Sequence, residues 1–284
     1  MKQKQIKLSG KEGFEKYYQD LYGARWQDLK KAFQKETNTV EYFVKGAQNP
    51  YYLDSASVLA ALCLPVKNSQ KILDLCAAPG GKTVVLASRM DKETELFANE
   101  RSASRKTRLQ NTVNTCLPSE INSRIKISCS DGAVWCKKQS ECFDRILLDA
   151  PCSSERHVFL DSKYLDQWTP SRIKTVTMQQ WSLLSCAFRL LKENGIMVYS
   201  TCALCPLEND LMIEKLLQKF HKENDTIQVL PIEYDKEEIK SFCSAELPDF
   251  EKTKYGAQIL PDIQNGAGPI YFSIIMKKLN ISSN

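Results

Sequence analysis

The chain has 284 residues, of which 43% are hydrophobic, and it carries a formal net charge of +5 at pH 7. This length can bury the core of one large domain, and the mild positive charge permits a nucleic acid partner without requiring one. No segment has the roughly 18 consecutive apolar residues of a membrane helix, and the N-terminus lacks the apolar core of a signal peptide.

Aromatic and charged residues recur at helical spacing in residues 10–46, and this pattern predicts a helical cap on the rest of the fold. We therefore assign residues 1–50 to a helical N-terminal extension and residues 51–284 to the main domain.

Strand-like and helix-like segments alternate in the main domain, which is typical of a parallel sheet with helices on both faces. The apolar runs that predict buried strands are 71–75, 95–100, 125–131, 143–150 and 195–201. Helices are predicted at about 82–90, 102–116, 171–192 and 203–223. Two closing strands are expected to start at 226 and 269, with a loop-rich insertion at 233–265.

The first of these strands runs into the segment D-L-C-A-A-P-G-G-K-T at residues 74–83. Its last four residues resemble a phosphate-binding loop, but Cys76 stands where that loop needs a glycine, so this interpretation fails. What remains is a tight turn at 79–81 between a strand and a helix. Such a turn presents backbone N–H groups to a nucleotide-like ligand.

Acidic residues stand at or near the ends of four predicted strands, namely Asp74, Glu100, Asp131 and Asp149. Each one alone could simply cap a helix or a turn. Because ligands bind beyond the carboxyl ends of parallel strands, we expect the four to converge on one crevice. Glu100 has the position of a residue that binds a ribose hydroxyl pair, and Arg105 either lies close to it or is a solvated helix residue.

The eleven cysteines include one CxxC, at 202–205, but not the two that a zinc site of this kind uses, so we expect no metal, no disulfide framework and a reducing compartment. Two of them stand apart from the others. Cys152 follows the fourth predicted strand and Cys202 follows the fifth, and neighbouring strands would bring both thiols into one part of the crevice. A thiolate is a strong nucleophile when its pKa is lowered, but the sequence does not show what would lower it.

The segment 74–83, the D-A-P-C at 149–152 and the S-T-C at 200–202 followed by Glu208 and Asn209 resemble a known family. They are similar to the S-adenosylmethionine-dependent RNA cytosine-C5 methyltransferases of the Nop2/Sun, or Fmu, family. The resemblance implies a Rossmann-like class I methyltransferase fold, with a mostly parallel seven-stranded sheet and a catalytic domain at 51–284. The N-terminal segment resembles the compact branch of the family, which has no extra RNA-binding domain.

The family chemistry implies a role for each matching residue. Cys202 would add to C6 of cytosine, and Cys152 would assist removal of the C5 proton and release of the enzyme. Asp149 would bind the amino edge of the base, and Lys82 would lie near the same ring or order Asp149. The residues expected to hold S-adenosylmethionine are Cys76, Ala77, Ala78, Pro79, Gly80, Gly81, Lys82, Glu100, Arg105, Asp131, Gly132 and Asp149.

Other functions compete with this interpretation. A DNA cytosine-C5 methyltransferase would not need the second cysteine, at position 202. A cysteine hydrolase needs a histidine opposite its thiol, and only His157 and His221 exist. A non-catalytic RNA-binding assembly factor would tolerate loss of Cys152 or Cys202, and both are present. His157 is either a contact to the RNA base or part of a solvent-facing loop.

The expected partner is a structured RNA, since a base inside a helix must be extruded before it can react. The compact branch favours small-subunit ribosomal RNA, with transfer RNA as the alternative. Lysines and arginines form no clear basic stripe, so an accessory RNA-binding protein is a further expected partner. We expect a monomer without membrane contact, in the cytoplasm or alternatively in the mitochondrial matrix.

Overall fold

The computed structural model describes residues 8–222, 226–243 and 246–278. The helices are α1 (Gly10–Tyr22), α2 (Arg25–Phe33), α3 (Ser55–Leu62), α4 (Gly81–Ala87), α5 (Ala103–Cys116), α6 (Ser119–Asn122), α7 (Glu155–Leu160), α8 (Ser162–Asp166), α9 (Pro170–Leu190), α10 (Asp210–Lys222) and α11 (Lys236–Lys240). The strands are β1 (Thr39–Tyr42), β2 (Tyr51–Asp54), β3 (Lys71–Asp74), β4 (Glu95–Glu100), β5 (Ile125–Cys129), β6 (Phe143–Asp149), β7 (Leu191–Thr201), β8 (Thr226–Leu230), β9 (Glu251–Lys252), β10 (Ala257–Ile259) and β11 (Ile270–Lys278).

The central sheet has the strand order β5-β4-β3-β6-β7-β11-β10-β9, and β8 also pairs with β11. Strands β5, β4, β3, β6 and β7 are parallel, whereas β11 is antiparallel to both β7 and β8. These seven strands confirm the predicted mostly parallel sheet. The short strands β10 and β9 extend it past the predicted seven.

Helices cover both faces of this sheet, and the central strands are apolar on both sides for that reason. In β6, Leu147 packs in the same hydrophobic cluster as residues of α3 and α4, whereas Ile146 and Leu148 pack with residues of α9 and α10. All three side chains are fully buried. The sheet is therefore the middle of three layers, and its carboxyl edge is left to carry polar side chains.

Two of the predicted segments contain elements that were not predicted. Residues 10–46 contain α1 and α2 as predicted, but also β1, in which exposed and buried residues alternate. Residues 233–265 were expected to be loop-rich, yet they include α11, β9 and β10. Strand β1, before residue 50, pairs with β2, after it, so hydrogen bonds join the two predicted domains. The division of the chain at residue 50 stays a prediction.

The helix predicted at 203–223 begins only at Asp210. Asn209 holds the preceding residues in a loop, since its Nδ2 donates to the Ala203 carbonyl at 2.9 Å and its Oδ1 accepts from Thr201 Oγ1 at 2.7 Å. Several predicted ranges include residues outside the described part of the chain: these are 1–7, 223–225, 244–245 and 279–284.

The aromatic residues of the N-terminal helices form core, as their spacing predicts. Phe14, Tyr18, Trp26 and Phe33 are fully buried in a cluster that also contains Trp168. This cluster includes residues of α7, α8 and the loop after β7. The N-terminal helices thus support the two loops that carry the candidate cysteines. Within the described ranges, none of the helices combines the length and apolar character that crossing a membrane requires.

Candidate active site

A cavity of about 950 Å³ opens at the carboxyl ends of β3, β4, β6 and β7. This is the edge where open parallel sheets bind ligands. Most of the site residues predicted from the sequence line it. They are Cys76, Ala78, Lys82, Glu100, Arg105, Asp131, Gly132, Asp149, Cys152 and Cys202.

The glycine turn lies beside this cavity and is tightly packed. Ala77, Pro79 and Gly81 line a smaller cavity of about 120 Å³. Gly80 faces α5, where a Cβ atom would meet the Thr112 side chain at 2.9 Å, and its φ of 116° strains any other residue. A Cβ on Gly81 would lie 2.6 Å from the ring of Tyr51. The two glycines therefore let the chain pass between these neighbours and enter α4.

Glu100 and Arg105 connect the end of β4 to the glycine turn. Glu100 is 4% exposed, and its carboxylate accepts from the Ser102 backbone N–H at 2.9 Å and lies 3.4 Å from Arg105 Nη1. Arg105 Nη2 donates to the Ala78 carbonyl at 2.7 Å. Asp131 caps the 3₁₀ helix that follows β5 by accepting from the Ala133 N–H. Glu100 and Asp131 thus each bind a backbone N–H group and also line the cavity.

Asp74 departs from the expected convergence of four carboxylates. It is 1% exposed and lines the smaller cavity rather than the large one. Thr83, in the first turn of α4, donates to Asp74 Oδ2 at 2.7 Å and so holds the carboxyl beneath the glycine turn. Burial raises the pKa of Asp74 to about 7. Three carboxylates rather than four therefore line the large cavity.

The two candidate cysteines lie together, as the adjacency of their strands predicts. Cys152 Sγ is 2.8 Å from Cys202 Sγ, and Ser154 Oγ is 3.3 Å from each sulfur. The hydrogen bond with Cys152 lowers the pKa of Cys202, and Ser154 adds to this effect. The same contact, with burial, raises the pKa of Cys152 well above its ordinary value. Cys202 is the exposed member of the pair and the one that ionises more easily.

Asp149 is held on both of its oxygens. Lys82 Nζ is 2.7 Å from Oδ2, and Ser200 Oγ donates to Oδ1 at 2.8 Å. Lys82 Nζ also lies 3.3 Å from Ser57 Oγ. Burial opposes the charged form of Lys82, but Asp149 outweighs it and raises the pKa of Lys82. Lys82 therefore holds the Asp149 carboxyl group at the edge of the cavity.

Comparison with known proteins identifies the family. A family model described as 16S rRNA methyltransferase RsmB/F matches residues 61–271, well over half of the chain. The chain belongs to the RsmB/F family. The mouse (Mus musculus) 5-cytosine rRNA methyltransferase NSUN4 is 31% identical over 80% of this chain and 60% of its own length. Ribosomal RNA small subunit methyltransferase F of Escherichia coli O6:H1 is 36% identical over 64% of this chain and 37% of its own length.

The chain thus spans less than two thirds of the length of these two curated relatives. A crystal structure of NSun6 from Pyrococcus horikoshii with SFG has the same fold, with a TM-score of 0.63 and 20% identity over 82% of this chain and 54% of that one. The predicted Rossmann-like methyltransferase fold is confirmed.

Several cavity residues of this RsmB/F family member were not predicted from the sequence. Ser57, Asn99 and Ser154 line the cavity, and Ser200 binds Asp149. Ser154 and Ser200 each stand two residues from a candidate cysteine, and this spacing could have identified them as site residues. His157 is not among the cavity-lining residues; its exposed ring lies 5.1 Å from that of Tyr164.

Proposed function

We propose that this chain transfers a methyl group from S-adenosylmethionine to C5 of a cytosine in structured RNA, through a covalent bond between Cys202 and C6. The observation that carries the proposal is the Cys152–Cys202 pair, with 2.8 Å between the sulfur atoms, in the cavity that Asp149 and Lys82 also line. Membership of the RsmB/F family supports the same reaction.

In the proposed reaction the Cys202 thiolate forms a bond to C6, and the electron pair of the C5–C6 double bond makes C5 nucleophilic. Bound S-adenosylmethionine supplies the electrophilic methyl group. Afterwards the C5 proton leaves to a base, its bonding electrons restore the double bond, and the C6–S bond breaks with its electron pair on Cys202. Cys152 assists this last step, and Asp149 accepts a hydrogen bond from the amino group of the base.

The cavity fits S-adenosylmethionine in size and charge. Its volume of about 950 Å³ suits a ligand of this class together with part of a base. Glu100 would bind the ribose hydroxyls, and Asp131 and Asp149 add negative charge that complements a sulfonium cation. The archaeal NSun6 structure was determined with SFG, an S-adenosylmethionine analogue, which supports the same cofactor here.

The relatives favour small-subunit ribosomal RNA as the substrate. The family model is described as a 16S rRNA methyltransferase, and the E. coli relative is named a small-subunit enzyme. Transfer RNA is the second candidate. We further propose a monomer that an accessory RNA-binding protein assists, in the cytoplasm or the mitochondrial matrix.

We also propose that His157 contacts the RNA as part of a small exposed cluster. The guanidinium of Arg172 lies 5.8 Å from the ring centre of Tyr164, which in turn packs on His157. Arg172 is half-buried, and within the described residues its buried Nε has no hydrogen-bond partner. Arg172 lies on the same face of α9 as the cavity residue Gln179, because seven residues make about two turns. Stacking rings and a cation suit a nucleotide next to the target.

Bisulfite sequencing of total RNA from cells with and without the gene tests the proposed function. One cytosine of small-subunit ribosomal RNA should be protected in the presence of the gene and converted in its absence. Cells that carry only Cys202→Ala serve as the control and should resemble the deletion. Identical bisulfite patterns in all three strains would overturn the proposal, whereas a changed position in transfer RNA would assign the second candidate substrate.

A further inference from the structure

Two glutamates lie buried beneath the cysteine pair and share one hydroxyl group. Glu155 is 1% exposed and Glu208 is 0% exposed. Ser153 Oγ lies 2.5 Å from Glu155 Oε1 and forms a short hydrogen bond with Glu208 Oε1. Two carboxyl groups without access to water therefore meet at a single serine.

The hydrogen atoms available at this serine are too few for two charged carboxylates. A hydroxyl carries one hydrogen and can donate to one oxygen only. Oε1 of Glu155 already accepts from Tyr18 OH at 2.6 Å, and its Oε2 accepts from the Leu204 N–H at 3.0 Å. If Ser153 also donates to Glu155, then Glu208 Oε1 must carry a proton and donate it to Ser153 Oγ.

The other oxygen of Glu208 is consistent with this assignment. Oε2 accepts from the Ser153 N–H and from Gln180 Nε2, both at 2.9 Å. One oxygen of the carboxyl is thus an acceptor and the other a donor, as in a neutral carboxylic acid. Burial and the neighbouring Glu155 raise the pKa of Glu208 to about 7.

The contacts of this carboxyl pair connect both cysteine loops. Ser153 directly follows Cys152, and Leu204 lies two residues after Cys202. Gln180 of α9 also donates to the Pro151 carbonyl at 3.0 Å. The spacing of the two sulfur atoms therefore depends on contacts that the shared proton completes.

We propose that Glu208 is a positioning residue for the methyl transfer reaction, and that its proton, shared with Glu155 through Ser153, keeps the Cys152 and Cys202 loops together. This role rests on the proposed function. When the proton leaves, two buried like charges repel each other and the loops separate. Cys202 then loses the hydrogen bond with Cys152 that favours its thiolate.

In the described part of the chain, the groups named here that bind or interact with the carboxyl pair supply no positive charge to replace the proton. The side chains that donate hydrogen bonds to the two carboxyls, Tyr18, Ser153 and Gln180, are all neutral. The other titratable groups that interact with the pair are also neutral or anionic. They are Tyr17 and Tyr22 of α1, Tyr199 of β7, and Cys152, Cys202 and Cys205 of the two loops.

An NMR titration of wild-type protein labelled with ¹³C at the glutamate side-chain carboxyl tests the shared proton without RNA or cofactor. One glutamate resonance should titrate near pH 7, and it should be missing in Glu208→Gln. The glutamate label excludes Asp74 from the spectrum. If every glutamate titrates below about pH 5.5, as ordinary glutamates do, the proposal is overturned, whether or not the variant folds.

Alkylation of Cys202 by iodoacetamide, mapped by mass spectrometry across pH, tests the positioning role. In Glu208→Gln the side chain can still donate a hydrogen bond to Ser153 but cannot ionise. The loops should then stay together at alkaline pH and Cys202 should keep its hydrogen bond with Cys152, so the pH midpoint of Cys202 alkylation should fall by about one unit relative to wild type. Single-turnover methylation should lose its decline on the alkaline side in the same variant. Midpoints and pH profiles that coincide with wild type would overturn the positioning role.

The two measurements on the isolated protein separate this inference from the proposed function. A glutamate titration and an alkylation shift as expected, without methylation of any RNA, would support the shared proton and refute the methyltransferase activity. Methylation of RNA without a glutamate that titrates near pH 7 would support the methyltransferase activity and refute the shared proton.

Discussion

Asp149 and Ser200 lie opposite each other in the parallel strands β6 and β7, and Ser200 Oγ donates to Asp149 Oδ1 at 2.8 Å. This register brings the two following loops to the same level of the sheet. Cys152 and Cys202 therefore meet although they are 50 residues apart in the chain. One pair of strands therefore positions both the carboxylate proposed to bind the base and the proposed nucleophile.

The two cysteines should fail in different ways when replaced. Cys202→Ala should bind RNA and form no covalent adduct, because C5 never becomes nucleophilic without the thiolate. Cys152→Ala should complete methyl transfer and then stall as a protein–RNA species on denaturing gels. This species should require S-adenosylmethionine and disappear on nuclease treatment.

Cys129→Ala is a suitable control for the cysteine variants, since Cys129 is exposed and is not among the residues of the large cavity. Cys129→Ala should methylate and release RNA at the wild-type rate. An adduct in Cys202→Ala but not in Cys152→Ala would exchange the two roles. Full methylation by both variants would refute the covalent mechanism.

Replacement of Glu100 should weaken cofactor binding. Glu100→Ala removes charged hydrogen bonds, so the affinity for S-adenosylmethionine measured by calorimetry should fall by about 1–3 kcal/mol. Thermal stability should fall as well, because Glu100 accepts from the Ser102 N–H at the start of α5. Asp54→Asn is a control, since Asp54 caps α3 and is not among the cavity residues. Unchanged affinity in Glu100→Ala would remove this residue from the cofactor site.

Asp74 should make the wild-type protein less stable as the pH rises. Its folded-state pKa is raised to about 7 from 3.8, so the folded protein holds this proton more tightly than the unfolded chain. The resulting stability is complete below pH 3.8 and is lost as the pH rises through about 7. Asp74→Asn cannot ionise, and its free energy of unfolding relative to wild type should increase between pH 4 and pH 8 by up to about 4 kcal/mol, at about 1.4 kcal/mol per pKa unit.

Urea denaturation at several pH values measures this difference. Asp131→Asn provides the comparison, because Asp131 is only half-buried, and its curve should follow wild type closely. A difference between Asp74→Asn and wild type that does not depend on pH would show that folding does not raise the pKa of Asp74.

The cluster of His157, Tyr164 and Arg172 should contribute to RNA affinity but not to cofactor affinity. Tyr164→Ala should weaken RNA binding by about 1–3 kcal/mol, the usual contribution of one stacked base. Arg172→Ala should also reduce the slope of affinity against salt concentration, because one phosphate contact is lost. Tyr52→Ala is the matched control, since Tyr52 is a 61% exposed aromatic residue on β2. Equal RNA affinity in Tyr164→Ala and Tyr52→Ala would contradict the assigned surface.

The central strands and the two cysteines could be predicted from the sequence because their signals are local. Apolar runs ending in acidic residues predict strands and their carboxyl ends, and motif spacing places Cys152 and Cys202 after neighbouring strands. The predicted start of α10 was wrong because the Asn209 side chain forms hydrogen bonds with Thr201 and the Ala203 carbonyl, which hold the preceding residues in a loop. Strands β9 and β10 are only two and three residues long, which is too short for a periodic pattern.

The cause of the lowered pKa of Cys202 could not be predicted, because it depends on a sulfur contact between two loops. The pairing of Glu155 with Glu208 was equally hidden. Each residue alone is an ordinary polar loop or helix residue, and only the packing of α1 and α9 against the loops buries both. The position of Asp74 was predicted wrongly for a similar reason, since the hydrogen bond from Thr83 holds its carboxyl outside the large cavity.

The contact between Tyr18 and Glu155 joins residues 137 positions apart, and Arg156 donates to the carbonyls of Gly266 and Gly268, 110 and 112 positions further on. Contacts at such separation form slowly, because a long chain segment must be closed before they stabilise the fold. During synthesis, α1 therefore leaves the ribosome long before its partners exist. The segment that bears Cys152 can acquire its final geometry only after nearly all of the described chain has been translated.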